Sequence, residues 1–254
     1  MCCLADRFVR ETEYMIDFHT HILPGIDDGS RDIDMTIKML ETERDQGVSY
    51  IYATPHFYAH RRSIEYFLER RAAAFDLVTG VLKTRPDLPR VTPGAEVYYF
   101  SGMGRAEKLA DLCIEGTDLL LLEMPFAQWH SDVVKDVDDI IHKRGLRVIL
   151  AHVERYERYQ KDRSAWDRIL DMPLTIQLNT EPFINTGSLL KPNKEHKSCM
   201  RLLSEYDNCI IGTDCHNLTN RAPNLPEARK AIEKKAGRER LLLIDTYTNK
   251  LVRV

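Results

Sequence analysis

The 254-residue sequence predicts an α/β fold, namely an irregular seven-stranded (β/α)7 barrel of distorted TIM-like form. Short apolar, β-branched runs alternate with segments of helical spacing, and this alternation is typical of βαβ units and a parallel sheet. The runs are apolar at almost every position, as are strands that are buried on both faces. Candidate metal ligands follow the runs, and they can converge from so many strands only if the sheet closes.

Seven apolar runs are the candidate strands. They occupy residues 15–18, 50–53, 91–99, 119–122, 148–151, 175–178 and 209–211. Between the first two runs, apolar residues three or four positions apart from Ile33 to Leu40 indicate a helix that Gly47 would end. A second helix is predicted between Ser131, as its N-cap, and Gly145.

Length and composition limit the classes of protein to consider. We expect one domain over residues 15–254 after an N-terminal extension, residues 1–14, to which no function is assigned. The 36 basic and 39 acidic residues give a net charge of -3 and no basic field for nucleic acid or anionic lipid. No apolar stretch suggests membrane insertion or a signal peptide, so a cytoplasmic protein with free thiols is expected. Homo-oligomer formation is left open.

Two pairs of candidate metal ligands have the spacing of neighbours on one face of a strand. His19 and His21 follow the first apolar run, and Asp214 and His216 follow the last. Side chains two positions apart in a strand point to the same side, so each pair can approach one cation. A single pair of this kind is a weak signal, and its repetition strengthens the prediction.

Three further candidates each have an ordinary structural explanation. Asp28 lies in an Asp-Asp-Gly loop, where such residues often mark only a turn. His56 and His152 close apolar runs, where a lone histidine is commonly a hydrogen-bonded structural residue. Their common position at the ends of predicted strands favours the metal-binding interpretation.

Two glutamates are the most informative acids in the sequence. Glu96 lies inside an otherwise apolar strand and Glu123 ends a run of four leucines. A buried carboxylate is costly unless it is paired or binds a metal.

The complete set of predicted ligands is His19, His21, Asp28, His56, Glu96, Glu123, His152, Asp214 and His216. Nine nitrogen and oxygen ligands exceed the needs of one tetrahedral ion, so two or three adjacent ions are predicted, with manganese, iron or zinc preferred over copper and calcium.

Adjacent cations of this kind suit the hydrolysis of phosphate monoesters, because they stabilise both the attacking and the leaving oxygen. Arg155 and Arg221 follow ligand segments and are the predicted phosphate contacts, since a guanidinium can hold two phosphate oxygens at once. Exposed surface arginines are the alternative interpretation for both.

A competing motif is the C-x5-R spacing of Cys215 and Arg221, which cysteine-dependent tyrosine phosphatases also have. The five intervening residues include no glycine that would let backbone amides surround a phosphate. Pro223 and Pro226 also disfavour an uninterrupted helix after the arginine. We interpret the match as a coincidence.

Taken together and in order, the motifs resemble the polymerase and histidinol phosphatase (PHP) superfamily of metal-dependent phosphoesterases. The resemblance is closest to its bacterial protein-tyrosine-phosphatase branch, which is associated with capsule and exopolysaccharide synthesis. The segments that carry it are MIDFHTH (15–21), DDGS (27–30), TPH (54–56), GAEVY (94–98), LE (122–123), AHVERY (151–156) and DCHN (214–217).

The resemblance implies three divalent ions, usually manganese, on an irregular seven-stranded barrel, with Glu96 as a bridging ligand. The implied sets are His19, His21, Glu96 and Asp214 for one ion, Glu96, Glu123 and His152 for a second, and Asp28, His56 and His216 for the third. It also implies that Arg155 and Arg221 contact phosphate. The implied substrate is the phosphotyrosine tail of a capsule or exopolysaccharide tyrosine kinase.

Two other functions remain open from the sequence. A small-molecule phosphoesterase of the histidinol-phosphate type would use the same ligands, and a metal-loaded regulatory module would have lost turnover. Four aromatic residues are candidates to flank an aromatic substrate, but packing in the core or on the surface is the favoured interpretation for each: Phe57, Tyr58, Phe126 and Trp129.

Overall fold

The computed structural model describes residues 15–188 and 191–252, so the predicted extension, residues 1–14, lies outside the described part of the chain. Within those ranges the strands are β1 (Met15–Thr20), β2 (Val48–Ala53), β3 (His56–Phe57), β4 (Arg90–Pro93), β5 (Glu96–Tyr98), β6 (Leu119–Glu123), β7 (Arg147–Leu150), β8 (Thr175–Asn179) and β9 (Cys209–Gly212). The α-helices are α1 (Ile33–Asp45), α2 (Ile64–Thr84), α3 (Ser131–Asp138), α4 (Ser164–Leu170), α5 (Glu181–Ile184), α6 (Lys194–Glu205), α7 (Leu225–Ala236) and α8 (Arg238–Val252).

The strands form two parallel sheets, which confirms the α/β class. One sheet has the order β1-β2-β4 and the other has the order β3-β5-β6-β7-β8-β9. The closed seven-stranded barrel is not confirmed, because the strands form separate three- and six-stranded sheets. Two-residue segments outside the strands separate β2 from β3 and β4 from β5. Pro55 lies in the first interruption and has no N–H to donate to a ladder.

Backbone hydrogen bonds continue past the ends of the strands at both places where the two sheets meet. The amide of Gly94 donates to the carbonyl of Ala53 over 2.7 Å, beside the interrupted strands. At the other junction, the amide of Asp214 donates to the carbonyl of His19 over 2.7 Å, and the amide of His21 donates to the carbonyl of Cys215 over 2.9 Å. The ends of β1 and β9 are therefore neighbours.

The seven predicted runs all overlap observed strands, although the run at 91–99 is two strands and β3 was not predicted. The first predicted helix is confirmed as α1, and Gly47 follows it with φ +86°. Ser131 as an N-cap is wrong by one residue. His130 has the extended backbone of a cap and its carbonyl accepts from the amide of Val134, so Ser131 is the first helical residue.

Two apolar clusters hold the strands in place. The smaller cluster includes Phe18, Leu121, Ile149 and Ile210, which are contributed by four different strands and are buried together. The larger cluster lies between strands and helices and includes the stacked rings of Trp129 and Trp166. Burial of such large side chains is the main stabilising contribution. In the described chain, no helix combines the length and apolarity needed to cross a bilayer.

Candidate metal centre

The nine predicted ligands come together at the carboxyl ends of the strands. His19 lies in β1, His56 begins β3, Glu96 begins β5 and Glu123 ends β6. The remaining five are in the segments that directly follow β1, β7 and β9 or in the loop before α1: His21, Asp28, His152, Asp214 and His216. Parallel strands present their carboxyl ends at one edge, which explains how residues far apart in sequence become neighbours.

The imidazoles of His19 and His21 face each other at the centre of this group. Nδ1 of His19 donates to the side-chain oxygen of Gln177 over 3.0 Å, and Nδ1 of His21 donates to Asp27 over 2.7 Å. When each ring is neutral, as in a metal ligand, its Nε2 atom therefore carries the lone pair, and the two Nε2 atoms lie 3.2 Å apart. Two lone pairs at this distance repel each other unless a cation lies between or beside them.

Two carboxylates complete the surroundings of the two imidazoles. Oε2 of Glu96 lies 3.2 Å from Nε2 of His19 and 3.3 Å from Nε2 of His21. Oδ1 of Asp214 lies 3.6 and 3.3 Å from the same nitrogens. The four residues that the resemblance assigns to one ion are thus close neighbours, with their ligand atoms turned toward one another.

Glu96 also contacts a second group of candidate ligands. Its Oε1 lies 2.8 Å from Nε2 of His152, and its Oε2 lies 2.8 Å from Nδ1 of His56. Glu123 approaches both imidazoles, at 3.7 Å from His152 and 3.9 Å from His56. The ligand atoms of His56, Glu96 and Glu123 lie within 4.8 Å of one another, so His56 lies closer to this group than the implied allotment suggested.

The third group lies at the rim of the pocket. Oδ1 of the exposed Asp28 is 3.6 Å from Nε2 of His56 and 3.5 Å from Nε2 of His216. Nδ1 of His216 hydrogen-bonds the backbone carbonyl of Asp214 over 2.9 Å, which leaves Nε2 as the lone-pair atom. Together with His21, these residues place four ligand atoms within 4.8 Å of one another.

Several buried polar atoms in these groups have no hydrogen-bond partner in the described chain. They include Nδ1 of His56, Oε2 of Glu96, Oε2 of Glu123 and Nε2 of His216, since the 2.8 Å contact between His56 and Glu96 is not a hydrogen bond. A buried polar atom without a partner costs about 1–3 kcal/mol. Divalent cations would satisfy all four atoms at once, so the residues present fit a multinuclear metal centre of nitrogen and oxygen ligands.

The electrostatics of the pocket favour positive charge. Burial, together with the carboxylates of Glu96 and Asp214, raises the pKa of Glu123 to about 9. Burial alone would also raise the pKa of Asp214, but the imidazoles of His19 and His21 and the guanidinium of Arg155 hold it well below its usual range. Burial and the guanidinium of Arg155 lower the pKa of His152 to about 4, so this imidazole is neutral, as a metal ligand must be.

Two candidate ligands have backbone conformations that non-glycine residues rarely adopt. His152 has φ +33° and Asp214 has φ +53°, both in the left-handed region. Conformations of this kind cost of order 1–3 kcal/mol and persist only where the surrounding structure enforces them. At both positions the turn directs the side chain toward the other ligands after its strand has ended.

Both predicted arginines contact the pocket through one acid. Arg155 donates to Oδ2 of Asp214 over 2.9 Å, and Arg221 donates to Oδ1 of the same residue over 2.8 Å. The guanidinium of Arg221 also lies 4.0 Å from Asp28. The positive charges are therefore held at the Asp214 side of the candidate metal centre.

The residues that orient the ligands were not predicted from the sequence. Gln177 accepts from Nδ1 of His19 and from the backbone amide of His152, and it donates to Asn179. Asn179 in turn donates to Oδ2 of Asp214 over 2.9 Å. A sequence signal did exist, since these two polar residues have the same two-residue spacing in an apolar strand as the ligand pairs.

The C-x5-R motif does not form a phosphate-binding loop. Sγ of Cys215 is buried and lies 3.8 Å from a carboxylate oxygen of Glu43. Burial and the neighbouring carboxylate raise the pKa of the Cys215 thiol well above its usual value, which opposes thiolate formation. Arg221 instead binds Asp214. The geometry supports the interpretation of the motif as a coincidence.

Comparison with known proteins adds an independent observation. A family model described as "Capsular polysaccharide synthesis, CpsB/CapC" matches residues 15–251. The chain is 27% identical over 229 residues to tyrosine-protein phosphatase CpsB of Streptococcus agalactiae serotype V, covering 89% of this chain and 93% of that one. It is 28% identical over 234 residues to tyrosine-protein phosphatase YwqE of Bacillus subtilis, covering 89% and 86%.

The fold is also found in a solved structure. A chain from the crystal structures of YwqE from Bacillus subtilis and CpsB from Streptococcus pneumoniae, described as unique metal-dependent tyrosine phosphatases, superposes with a TM-score of 0.80. The two chains are 24% identical, and the match covers 94% of each. The arrangement of strands that brings the nine side chains together is therefore shared.

Proposed function

Because the chain belongs to the CpsB/CapC family of capsular polysaccharide synthesis, we propose that it is a metal-dependent tyrosine-protein phosphatase. The observation that carries the proposal is the pair of Nε2 atoms of His19 and His21, which face each other at 3.2 Å among buried carboxylates. The names of the relatives, tyrosine-protein phosphatases CpsB and YwqE, support the choice of reaction.

We further propose three divalent ions, with manganese preferred and iron or zinc as alternatives. The first would be held by His19, His21, Glu96 and Asp214, the second by Glu96, Glu123 and His152, and the third by Asp28, His56 and His216. The short contacts of Glu96 to His19, His21, His56 and His152 support its role as the bridging ligand. When bound, such ions lower the pKa of water and stabilise charge on phosphoryl oxygens.

The chain's own residues would bind and orient the phosphate. Arg155 and Arg221 lie beside the ligand Asp214, where each can turn one N–H toward a phosphoryl oxygen while its other nitrogen keeps contact with the carboxylate. Because a tyrosine leaving group has a pKa near 10, expulsion of the phenolate places little demand on a general acid. The proposed reaction therefore does not require a side chain that acts as a general acid.

The proposed physiological substrate is a phosphotyrosine protein, specifically the tyrosine-rich tail of a capsule or exopolysaccharide kinase. The capsular description of the family supports this context. We also infer that the two sheets together act as one irregular barrel. The hydrogen bonds between the end of β1 and the segment after β9 support this inference, since they continue the pairing around the site.

Metal analysis combined with turnover tests the proposal. The purified protein should contain divalent metal and hydrolyse a phosphotyrosine peptide, lose activity with a chelator, and regain it with Mn²⁺. Histidinol phosphate is the comparison substrate. Hydrolysis of histidinol phosphate alone would replace the assignment with a small-molecule phosphoesterase, and peptide binding without turnover under Mn²⁺, Zn²⁺ and Fe²⁺ would indicate a regulatory module.

A further inference from the structure

Two aromatic side chains stand beside the Glu123 side of the candidate metal centre. Phe126, three residues after β6, lies with its ring nearly parallel to the imidazole of His152, at 6.1 Å between centroids and 17° between planes. Tyr58, the residue after β3, has its ring centroid 5.2 Å from that of His56. These are the two imidazoles that approach Glu123.

Packing alone does not account for the position of Phe126. Its ring contacts Tyr156 and Tyr159, at centroid distances of 5.2 and 6.1 Å, yet the residue stays 36% exposed. Phe57 and Trp129, which sequence analysis also considered as substrate contacts, are 1% exposed and belong to the core. Phe126 thus keeps an apolar surface in water next to a candidate ligand, where a bound molecule can cover it.

Tyr58 is supported in a similar way beside His56, on the same Glu123 side of the centre. It is partly buried, and the ring of Tyr98 lies 5.6 Å from it by centroid distance. The guanidinium of Arg61 lies 4.7 Å over its ring. The Tyr58 ring is therefore held between neighbours, which limits the side-chain entropy lost when a ligand packs against it.

The two sides of the centre differ in chemistry. Arg155 and Arg221 both contact Asp214, so the positive groups belong to that side. The exposed and partly exposed rings contact His152 and His56, which approach Glu123. A molecule with a phosphate at one end and a flat apolar ring at the other matches this division.

We propose that Phe126 and Tyr58 form a subsite for the aromatic ring of the phosphate ester and so determine a preference for aryl over alkyl phosphates. This inference rests on the proposed phosphatase function and adds the residues that select the substrate. An aromatic ring packed on Phe126 gains stacking and burial that a phosphoserine side chain cannot make. Removal of the Phe126 ring should therefore raise KM for aryl substrates by roughly tenfold and leave KM for alkyl substrates nearly unchanged.

Kinetics on matched substrates test the subsite. Phe126→Ala and Tyr58→Leu in the Mn²⁺-loaded protein should raise KM for phenyl phosphate and for a phosphotyrosine peptide, with glycerol phosphate unaffected. Phe126→Tyr and Tyr58→Phe retain the rings and should retain the preference. Leu242→Ala is the control, because Leu242 is 41% exposed on α8. Equal losses on aryl and alkyl substrates, or none on either, would overturn the proposal.

Binding without turnover separates this proposal from the proposed function. Calorimetry on the Mn²⁺-loaded protein should show tighter binding of phenylphosphonate than of methylphosphonate, and Phe126→Ala should remove the difference. If the parent discriminates between the phosphonates yet hydrolyses no ester, the subsite stands and the phosphatase function fails. If the parent hydrolyses the peptide but binds both phosphonates equally or neither, the subsite fails.

Discussion

The carboxylate of Asp27 accepts a hydrogen bond from Nδ1 of His21 over 2.7 Å and thereby directs the lone pair of Nε2 toward Glu96 and Asp214. The same carboxylate accepts from the backbone amides of Gly29 and His56. Burial alone would raise the pKa of Asp27, but the imidazole of His21 and these donors hold it well below its usual range. Asp27 is thus a positioning residue for two candidate ligands.

Asp27→Asn is expected to weaken metal binding by about 10–100-fold, because loss of a hydrogen-bond partner behind a ligating histidine has this effect. Titration of the chelator-treated protein with Mn²⁺, followed by calorimetry, measures the change. Asp76→Asn, at an exposed acid on α2, is the control. Unchanged Mn²⁺ affinity in the Asp27 variant would contradict the assigned role.

Cys215→Ser should keep activity within about twofold of the parent, whereas His152→Ala should abolish it. The reason is that Sγ of Cys215 is buried against Glu43, while His152 lies 2.8 Å from Glu96 in the candidate centre. Turnover of a phosphotyrosine peptide and the metal content of each variant are the measurements. An inactive Cys215→Ser protein that still folds and binds metal would point to a thiolate mechanism instead.

Arg221→Ala should lower kcat/KM for the phosphotyrosine peptide by about a hundredfold, the typical cost of losing one preorganised donor to a charged oxygen. Arg221→Lys should recover only part of the loss, since an ammonium cannot offer two N–H groups in one plane. Arg168→Ala, at an exposed position of α4, serves as the control. Equal activity of Arg221→Ala and the control would remove Arg221 from the proposed phosphate contacts.

A buried acid pair outside the ligand set gives a prediction about pH. Glu43 and Asp17 are fully buried, with carboxylate oxygens within 4.8 Å of one another, and Oε2 of Glu43 has no hydrogen-bond partner. Burial and the Asp17 carboxylate raise the pKa of Glu43 well above its ordinary value of 4.5. A proton on Glu43 lets this oxygen donate to Asp17, which explains how two acids are buried together.

Because its pKa is raised on folding, protonated Glu43 contributes stability that is fully present below pH 4.5 and is lost as the pH rises through the folded-state pKa. Glu43→Gln stays neutral at every pH. The variant should therefore gain stability over the parent as the pH rises above 4.5, by about 1.4 kcal/mol per pH unit until Glu43 ionises in the folded protein. Urea denaturation of both chelator-treated proteins from pH 4 to 8 measures this difference, and a difference independent of pH would exclude the raised pKa.

Much of the candidate site was predictable because it depends on local patterns. The two-residue spacing of His19 and His21 places both on one side of an extended segment whatever the rest of the fold does. Asp214 and His216 have the same spacing in sequence, but the left-handed turn at Asp214 brings that pair to the pocket. The buried position of Glu96 was likewise evident from its apolar neighbours. Patterns of this kind need only residues close together in the chain.

The wrong predictions concern a strand boundary and a helix N-cap, where backbone hydrogen bonding and conformation decide the structure and residue type does not. The run at 91–99 reads as one strand, but the ladder is interrupted opposite Pro55, which has no N–H. Ser131 is a favourable cap residue by type, yet the extended backbone conformation that a cap requires occurs at His130. Composition alone could not reveal either departure.

The sequence by itself determined the kinds of ligand, their order along the strands and the α/β class, because periodicity and burial cost are properties of short segments. Only the tertiary structure decided which nitrogen of each imidazole is available and which acid orients it. Nδ1 of His19 is oriented by Gln177, 158 positions away, and contacts over such separations depend on how the strands pack side by side. The left-handed turn at His152 is likewise enforced by its surroundings, since its own side chain disfavours that conformation.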